Sequence, residues 1–423
     1  MRLRAAAFAA VVLMGAVGLS NAPASGADDQ DATQGGAKER VSEYEYSVVD
    51  EVLPSKIEEG AKALVGDRFV DIEISENQQN YVIGVLEASP DEAEKFSALL
   101  SSEVPVTVET RTVSRPETEA LYGEVWAGLK STKPGTALIV GRDYATGTIT
   151  IIANGTDALD AIDEVASAAL PGSEQKATQD GATVFISSEG SDSTSISVQV
   201  GSMTELEADD EAPYRAGKLL AVGAGNNNCT TGWFMHKNGN NFGLTAGHCG
   251  QNNSNVYFAA DQKGDVQNNQ LWANDPAHVD ASLFALGGGG TKTLYRSSTL
   301  NRDVTGEYAN DDLDGGFRIC VRGAFTGDQS CGDIKGAYTD VPTWSSIANR
   351  YVNNSWCWDT ESPGITNGDS GGPVYRVRPN ESVWAAGLIR SGISTDTDPT
   401  YEIGCFNPIA TAENFLNATL AKQ

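Results

Sequence analysis

The first 228 residues contain no cysteine, and the whole chain has only three histidines, His236, His248 and His278. No Cys-x-x-Cys pair occurs, which argues against a zinc finger or ribbon, so no metal is expected. Positive charge is scarce: 29 Lys and Arg face 57 Asp and Glu, giving a net charge of −28 and a pI near 4.4. Nucleic acid and anionic membrane surfaces both repel such a field and are excluded as partners. Long apolar runs are equally rare. The single candidate, residues 5–19, is too short to span a bilayer. Fixed-period repeats, low-complexity tracts and cofactor signatures are missing too, so no cofactor is expected.

What is present begins with export. Arg2 and Arg4 precede that apolar run, and Ser25, Gly26 and Ala27 follow it, the pattern of a signal peptide over 1–27. An exported, extracellular chain makes sense of the six cysteines, Cys229, Cys249, Cys320, Cys331, Cys357 and Cys405. An even number confined to one region implies three disulfides, for which fifteen connectivities exist.

Charge divides the chain. Residues 213–423 carry 20 acidic and 15 basic side chains, and 1–212 carry 37 and 14. After a polar leader (28–54), residues 55–204 read as an α+β domain. Val70, Ile72 and Ile74 alternate with acids as in a strand. Ser89-Pro90-Asp91-Glu92 opens a helix bearing Phe96, Leu99 and Leu100. Pro116 opens another with Leu121, Val125 and Trp126. Residues 137–140 and 148–152 suggest a hairpin, 158–170 a helix, and Ile196, Val198 and Val200 a strand. An acidic linker follows at 205–215. From 216 to 423, glycine and asparagine rise and strands shorten, indicating an all-β sandwich or barrel, with helical spacing only at 411–420. The acidic run Asn310-Asp311-Asp312-Leu313-Asp314-Gly315 lacks the spacing of an EF-hand and reads as a solvated loop.

One constellation carries chemistry. Ser370 sits in Gly368-Asp369-Ser370-Gly371-Gly372-Pro373, where flanking glycines permit a sharp turn that exposes a hydroxyl. The run also satisfies G-x-S-x-G, the nucleophile elbow of α/β-hydrolases, but those enzymes place their histidine after the serine. All three histidines here precede it, so the order His, Asp, Ser remains. His236, beside Trp233 and Phe234, reads as a surface or edge residue, and His278 as a solvated loop residue.

Thr245-Ala246-Gly247-His248-Cys249 and the 368–373 run together resemble the motifs of chymotrypsin-like serine peptidases, in particular the bacterial streptogrisin and alpha-lytic protease branch. The resemblance spans about 216–415 and implies a trypsin-like pair of six-stranded barrels. It implies His248 as base, Asp280 before a hydrophobic strand as its partner, and Ser370 as nucleophile. Asp275 and Asp265 are the rival acids. It further implies an oxyanion hole from the N–H groups of Gly368 and Ser370, and an Arg322–Asp369 ion pair. The disulfides would be Cys229–Cys249, Cys320–Cys331 and Cys357–Cys405. The acidic front half is similar in position and class to that branch's pro-regions, although no motif matches there. The implied protein is a secreted, monomeric serine endopeptidase acting on protein or peptide substrates and held by its own pro-region. The alternative is an inactive homologue serving as a secreted binding protein. Twelve residues separate Cys357 from Ser370, more than the family's usual few. The segment 387–393 also has one residue extra, so specificity residues cannot be transferred.

Overall fold

In the computed structural model, residues 53–423 are described apart from 76, 101–104, 178–182, 187–193, 204–215, 224–226, 259–260, 287–289, 291, 296–300, 327–329, 361–363 and 395–401. The signal peptide, nearly all of the leader and the 205–215 linker lie outside the described residues. None of the described helices is long and apolar enough to cross a membrane.

Apolar residues every fourth place make Pro54–Val65 a helix (α1) that buries Ile57, Ala61 and Val65 along one face. It ends at Gly66, whose φ of 60° favours glycine. Helix α1 packs on the first strand, and Glu92–Leu100 (α2) on the last, of a sheet formed by Phe69–Ile74, Tyr81–Leu86 and Val106–Arg111. Next comes Arg115–Ser131 (α3). Its capping box is centred on Ser114, whose Oγ accepts the Glu117 N–H at 3.3 Å while Glu117 accepts the Ser114 N–H at 2.8 Å. Helix α3 and Leu159–Ala169 (α4) cover a second sheet, in which Thr148–Asn154 pairs antiparallel with Ala137–Asp143 and parallel with Ser195–Met203.

The C-terminal half is strand-rich. One sheet runs Asn227–Thr230, Leu219–Val222, Asn255–Phe258, Asp261–Gln267, Ser282–Ala285, Asn240–Thr245, Phe234–Lys237 and the terminal Thr419–Leu420. The other runs Ser330–Asp333, Arg318–Val321, Pro373–Val377, Val383–Ser394, Ile403–Pro408, Arg350–Asp359 and Val341–Ser345. A bridge between Ile334 and Trp358 curls its first strand back toward the sixth, as barrel closure requires. The helix expected at 411–420 is Ile409–Leu416 (α5). Asn417, at φ 50°, stops it so that Thr419 and Leu420 can pair with His236 and Met235.

The two halves share cores. Ile57, Phe69, Ile72 and Ile74 pack in one cluster with Tyr308, Leu313, Phe317 and Trp356. Leu138, Ile139 and Ile152 pack with Tyr338, Val341 and Trp344 in another. Main chain joins them as well: Ile139 lies opposite Thr343, and Ser202 and Met203 pair with Ser394 and Ile393. A single sheet therefore runs through both halves. This contact corrects the expectation of a solvated 310–315 loop. Leu313 is fully buried, Asp312 accepts a 2.6 Å hydrogen bond from Ser55, and the Ile74 N–H reaches the Gly315 carbonyl. Asp312 sits under the front half, while Asp311 stays exposed.

Candidate active site

Antiparallel pairing sets Thr245 opposite Ser282. The short turn Gly247–Cys249 after the first strand thereby faces the residue two places before the second, bringing His248 to Asp280. Asp280 Oδ1 accepts the His248 backbone N–H at 2.9 Å, and Oδ2 lies 2.7 Å from Nδ1. An ionised carboxylate can only accept, so Nδ1 carries the proton and Nε2 is left as the basic nitrogen. Both groups are buried, Asp280 at 1% exposure and His248 at 8%. Burial pushes the Asp280 carboxyl up, but His248 and Arg390 together outweigh it and hold the group below its usual range. Asn407 orients the acid from behind: its Oδ1 accepts the Asp280 N–H at 2.9 Å while its amide donates to the Asn354 carbonyl at 2.7 Å.

Gly247 is demanded by this corner. A Cβ there would lie 2.8 Å from Asn269 Oδ1 and 3.0 Å from Asp280 Oδ1. Of the rival acids, Asp275 is exposed ahead of Pro276, and Asp265 faces Asn255 within a strand.

Ser370 lies in the loop leading into Pro373–Val377, between Gly368 at φ 89° and Gly371 at φ 86°. These are left-handed conformations that side chains resist, and a Cβ at Gly371 would also meet Thr245 Oγ1 at 2.2 Å. The loop is clamped to both barrels. Its Ser370 carbonyl accepts the Thr230 N–H at 2.8 Å, and the Gly371 N–H donates to Ile389 at 2.7 Å. The half-buried Ser370 hydroxyl donates to the Arg390 carbonyl at 3.4 Å, so it is turned toward the Val383–Ser394 strand. Among the described residues, the N–H groups of Gly368 and Ser370 donate to no protein acceptor.

The expected Arg322–Asp369 pair does not form. Asp369 is fully buried, but its Oδ1 accepts the N–H groups of Phe325 at 3.0 Å and Thr326 at 3.2 Å. Its Oδ2 accepts the Thr366 N–H at 2.9 Å and the Thr326 hydroxyl. The loop at 323–326 wraps so closely that a Cβ on Gly323 would overlap the carboxylate, while the stem of Arg322 runs against Gly217. Backbone donors occupy the place assigned to a cation. Burial therefore dominates and pushes the Asp369 carboxyl up despite those hydrogen bonds.

Three disulfides are formed, Cys229–Cys249, Cys320–Cys331 and Cys357–Cys405. Cys229, His248 and Cys249 cluster closely enough to suggest a metal site, but the disulfide removes both thiolates from that use. His236 is exposed on its strand. His278 is half-buried and stacks on Phe415 at 4.8 Å. Sequence reasoning missed Arg390, Asn407 and Thr326. An arginine following Leu388 and Ile389 in an apolar strand was the available signal for the first, and nothing marked the other two.

The Ser370 loop leads into one sheet, and the His248–Asp280 pair stands on strands of the other. No family model and no curated protein matches the chain. Among solved structures, it is similar to protease A of Thermobifida fusca, at 22% identity and a TM-score of 0.40 over 50% of this chain and 100% of that one. It is similar also to a Cellulomonas bogoriensis chymotrypsin (20%, 0.39, 49% and 98%) and a Nocardiopsis protease (19%, 0.39, 50% and 100%). These neighbours are bacterial chymotrypsin-like serine proteases, and the likeness is confined to about half of this chain.

Proposed function

We propose that the chain is a secreted serine endopeptidase made as a pro-enzyme, with Ser370, His248 and Asp280 as its catalytic residues. The observation that carries this reading is the buried carboxylate of Asp280 gripping both the backbone and the Nδ1 of His248. That grip fixes the tautomer in which Nε2 can take a proton.

In the proposed reaction, Ser370 Oγ turns from the Arg390 carbonyl and attacks the substrate carbonyl carbon as His248 Nε2 accepts its proton. The oxyanion is met by the N–H groups of Gly368 and Ser370, which have no protein acceptor to surrender among the described residues. Protonated His248 then delivers the proton to the leaving amine, leaving an acyl-Ser370. A water molecule, deprotonated by the same imidazole, releases the acid and restores the serine.

The front half fits a pro-region that restrains the enzyme. Its Ser195–Met203 strand adds to the Val383–Ser394 strand that also contacts the nucleophile loop, the kind of main-chain pairing an extended peptide would make. A fluorescent organophosphonate tests the reading. The chain freed of its front half should be labelled, and Ser370→Ala should not. Absence of labelling in both would favour the inactive binding protein.

A further inference from the structure

Arg390 lies in the interior of the Val383–Ser394 strand at 2% exposure. Its Nε stands 3.5 Å from Asp280 Oδ2, the same oxygen that holds His248 Nδ1 at 2.7 Å. The far end of the guanidinium is fixed by neutral oxygens on the Val341–Ser345 strand, three places along the sheet. It donates to Thr343 Oγ1, to the Thr343 carbonyl at 3.3 Å and to the Trp344 carbonyl at 3.1 Å. One carboxylate is thus shared between a permanent cation and the imidazole.

We propose that Arg390 is a positioning residue that holds Asp280 and lowers the proton affinity of His248, keeping the imidazole in its base form into acidic medium. This inference rests on the catalytic reading above. Its physical basis is charge count. With Asp280 alone, protonating His248 turns a buried net charge of −1 into zero, which burial favours. With Arg390 present, the same protonation turns zero into +1, which burial opposes. Arginine cannot relieve this by losing its own proton. Among the described residues, the charged groups in contact with the Asp280 carboxylate are His248 and Arg390. Asn407, whose Oδ1 accepts the Asp280 N–H, adds no charge there.

The test is an NMR titration of the His248 imidazole in the full chain carrying Ser370→Ala, with His236→Gln and His278→Gln used for assignment. The imidazole should titrate below the free value of about 6.5. Arg390→Met should raise it by about one unit or more, whereas Arg390→Lys should leave it nearly unchanged. A value above about 6.5 in the parent would overturn the proposal without any Arg390 variant, as would an unchanged value in a folded Arg390→Met. In the processed enzyme, the acid limb of the kcat/KM profile should move upward with Arg390→Met by the same amount. A low His248 titration in a protein inert to the organophosphonate would sink the peptidase reading and leave the electrostatic one standing. An active enzyme with an ordinary His248 would do the reverse.

Discussion

Two buried aspartates flank the proposed site, and they are solvated by opposite means. Asp280 is held by an imidazole and a guanidinium and stays below its usual range. Asp369, next to Ser370, is held by three backbone N–H groups and a hydroxyl and rises above it. Burial is nearly the same in both, so the difference comes from the charge of the neighbours. Neutral donors satisfy a carboxylate's geometry without offsetting the whole cost of its charge. Asp280 is built to remain ionised, and Asp369 is built to shape a turn.

The largest test of that contrast acts on chemistry. Asp280→Asn keeps the shape but offers the wrong donor to Nδ1, and kcat should fall by about 10⁴ in a peptide-cleavage assay. Removing the acid outright with Asp280→Ala leaves Arg390 buried without its carboxylate. Denaturant unfolding should then show a loss of about 3–5 kcal/mol. At the other aspartate the effects should be smaller. Asp369→Asn turns an amide donor toward existing donors, and unfolding should register a loss of about 1–3 kcal/mol.

A pH series sharpens the same comparison. The Asp369 pKa is raised in the folded state, so the native chain binds the extra proton above the unfolded value of about 3.9. Its contribution to stability therefore falls as pH rises from there toward the folded value. Asp280 has the opposite sign: its stabilisation is present above about pH 4 and is lost as pH drops through its lowered value. Melting temperature against pH should accordingly be flatter in Asp369→Asn than in the parent.

The smallest expected effect concerns a third carboxylate site. Between the halves lies a cavity of about 390 Å³ lined by Glu73 from the front and Asp314 from the back. Burial raises Glu73 to about 7 and Asp314 to about 8. Both acids favour the closed arrangement when protonated, so the halves should part faster at pH 8.5 than at pH 5 after a cut in the 204–215 segment. Size-exclusion of the cut chain at the two pH values measures this.

Legibility in the sequence followed the reach of each signal. Alternation at Val70, Ile72 and Ile74 and the spacing along α3 are local, and the elements stand where those patterns put them. His248 and Ser370 announced themselves through glycine-flanked motifs whose backbone shape the residues themselves impose, as φ at Gly368 and Gly371 shows. Asp280 came from the family resemblance, as an acid ahead of a hydrophobic strand, and strand pairing brings it to His248. Arg322 failed as a partner for Asp369 because a backbone N–H leaves no trace in a sequence. The extra residue in 387–393 signalled a departure, but only packing reveals that Arg390 reaches Asp280. The 310–315 run misled because Asp312 looks solvated locally yet is covered by Ser55, 257 residues away.

The seams at Ile139–Thr343 and at Met203–Ile393 are made by main chain. Hydrogen bonds between peptide groups constrain backbone shape and strand edge, and they are indifferent to which side chains project from either strand. Substitutions can therefore accumulate across the front half without loosening its hold, provided the sheet and its apolar filling persist. On the pro-region reading, a partner held by its main chain tolerates substitution more readily than the proposed site beside it, in keeping with a front half that carries no motif.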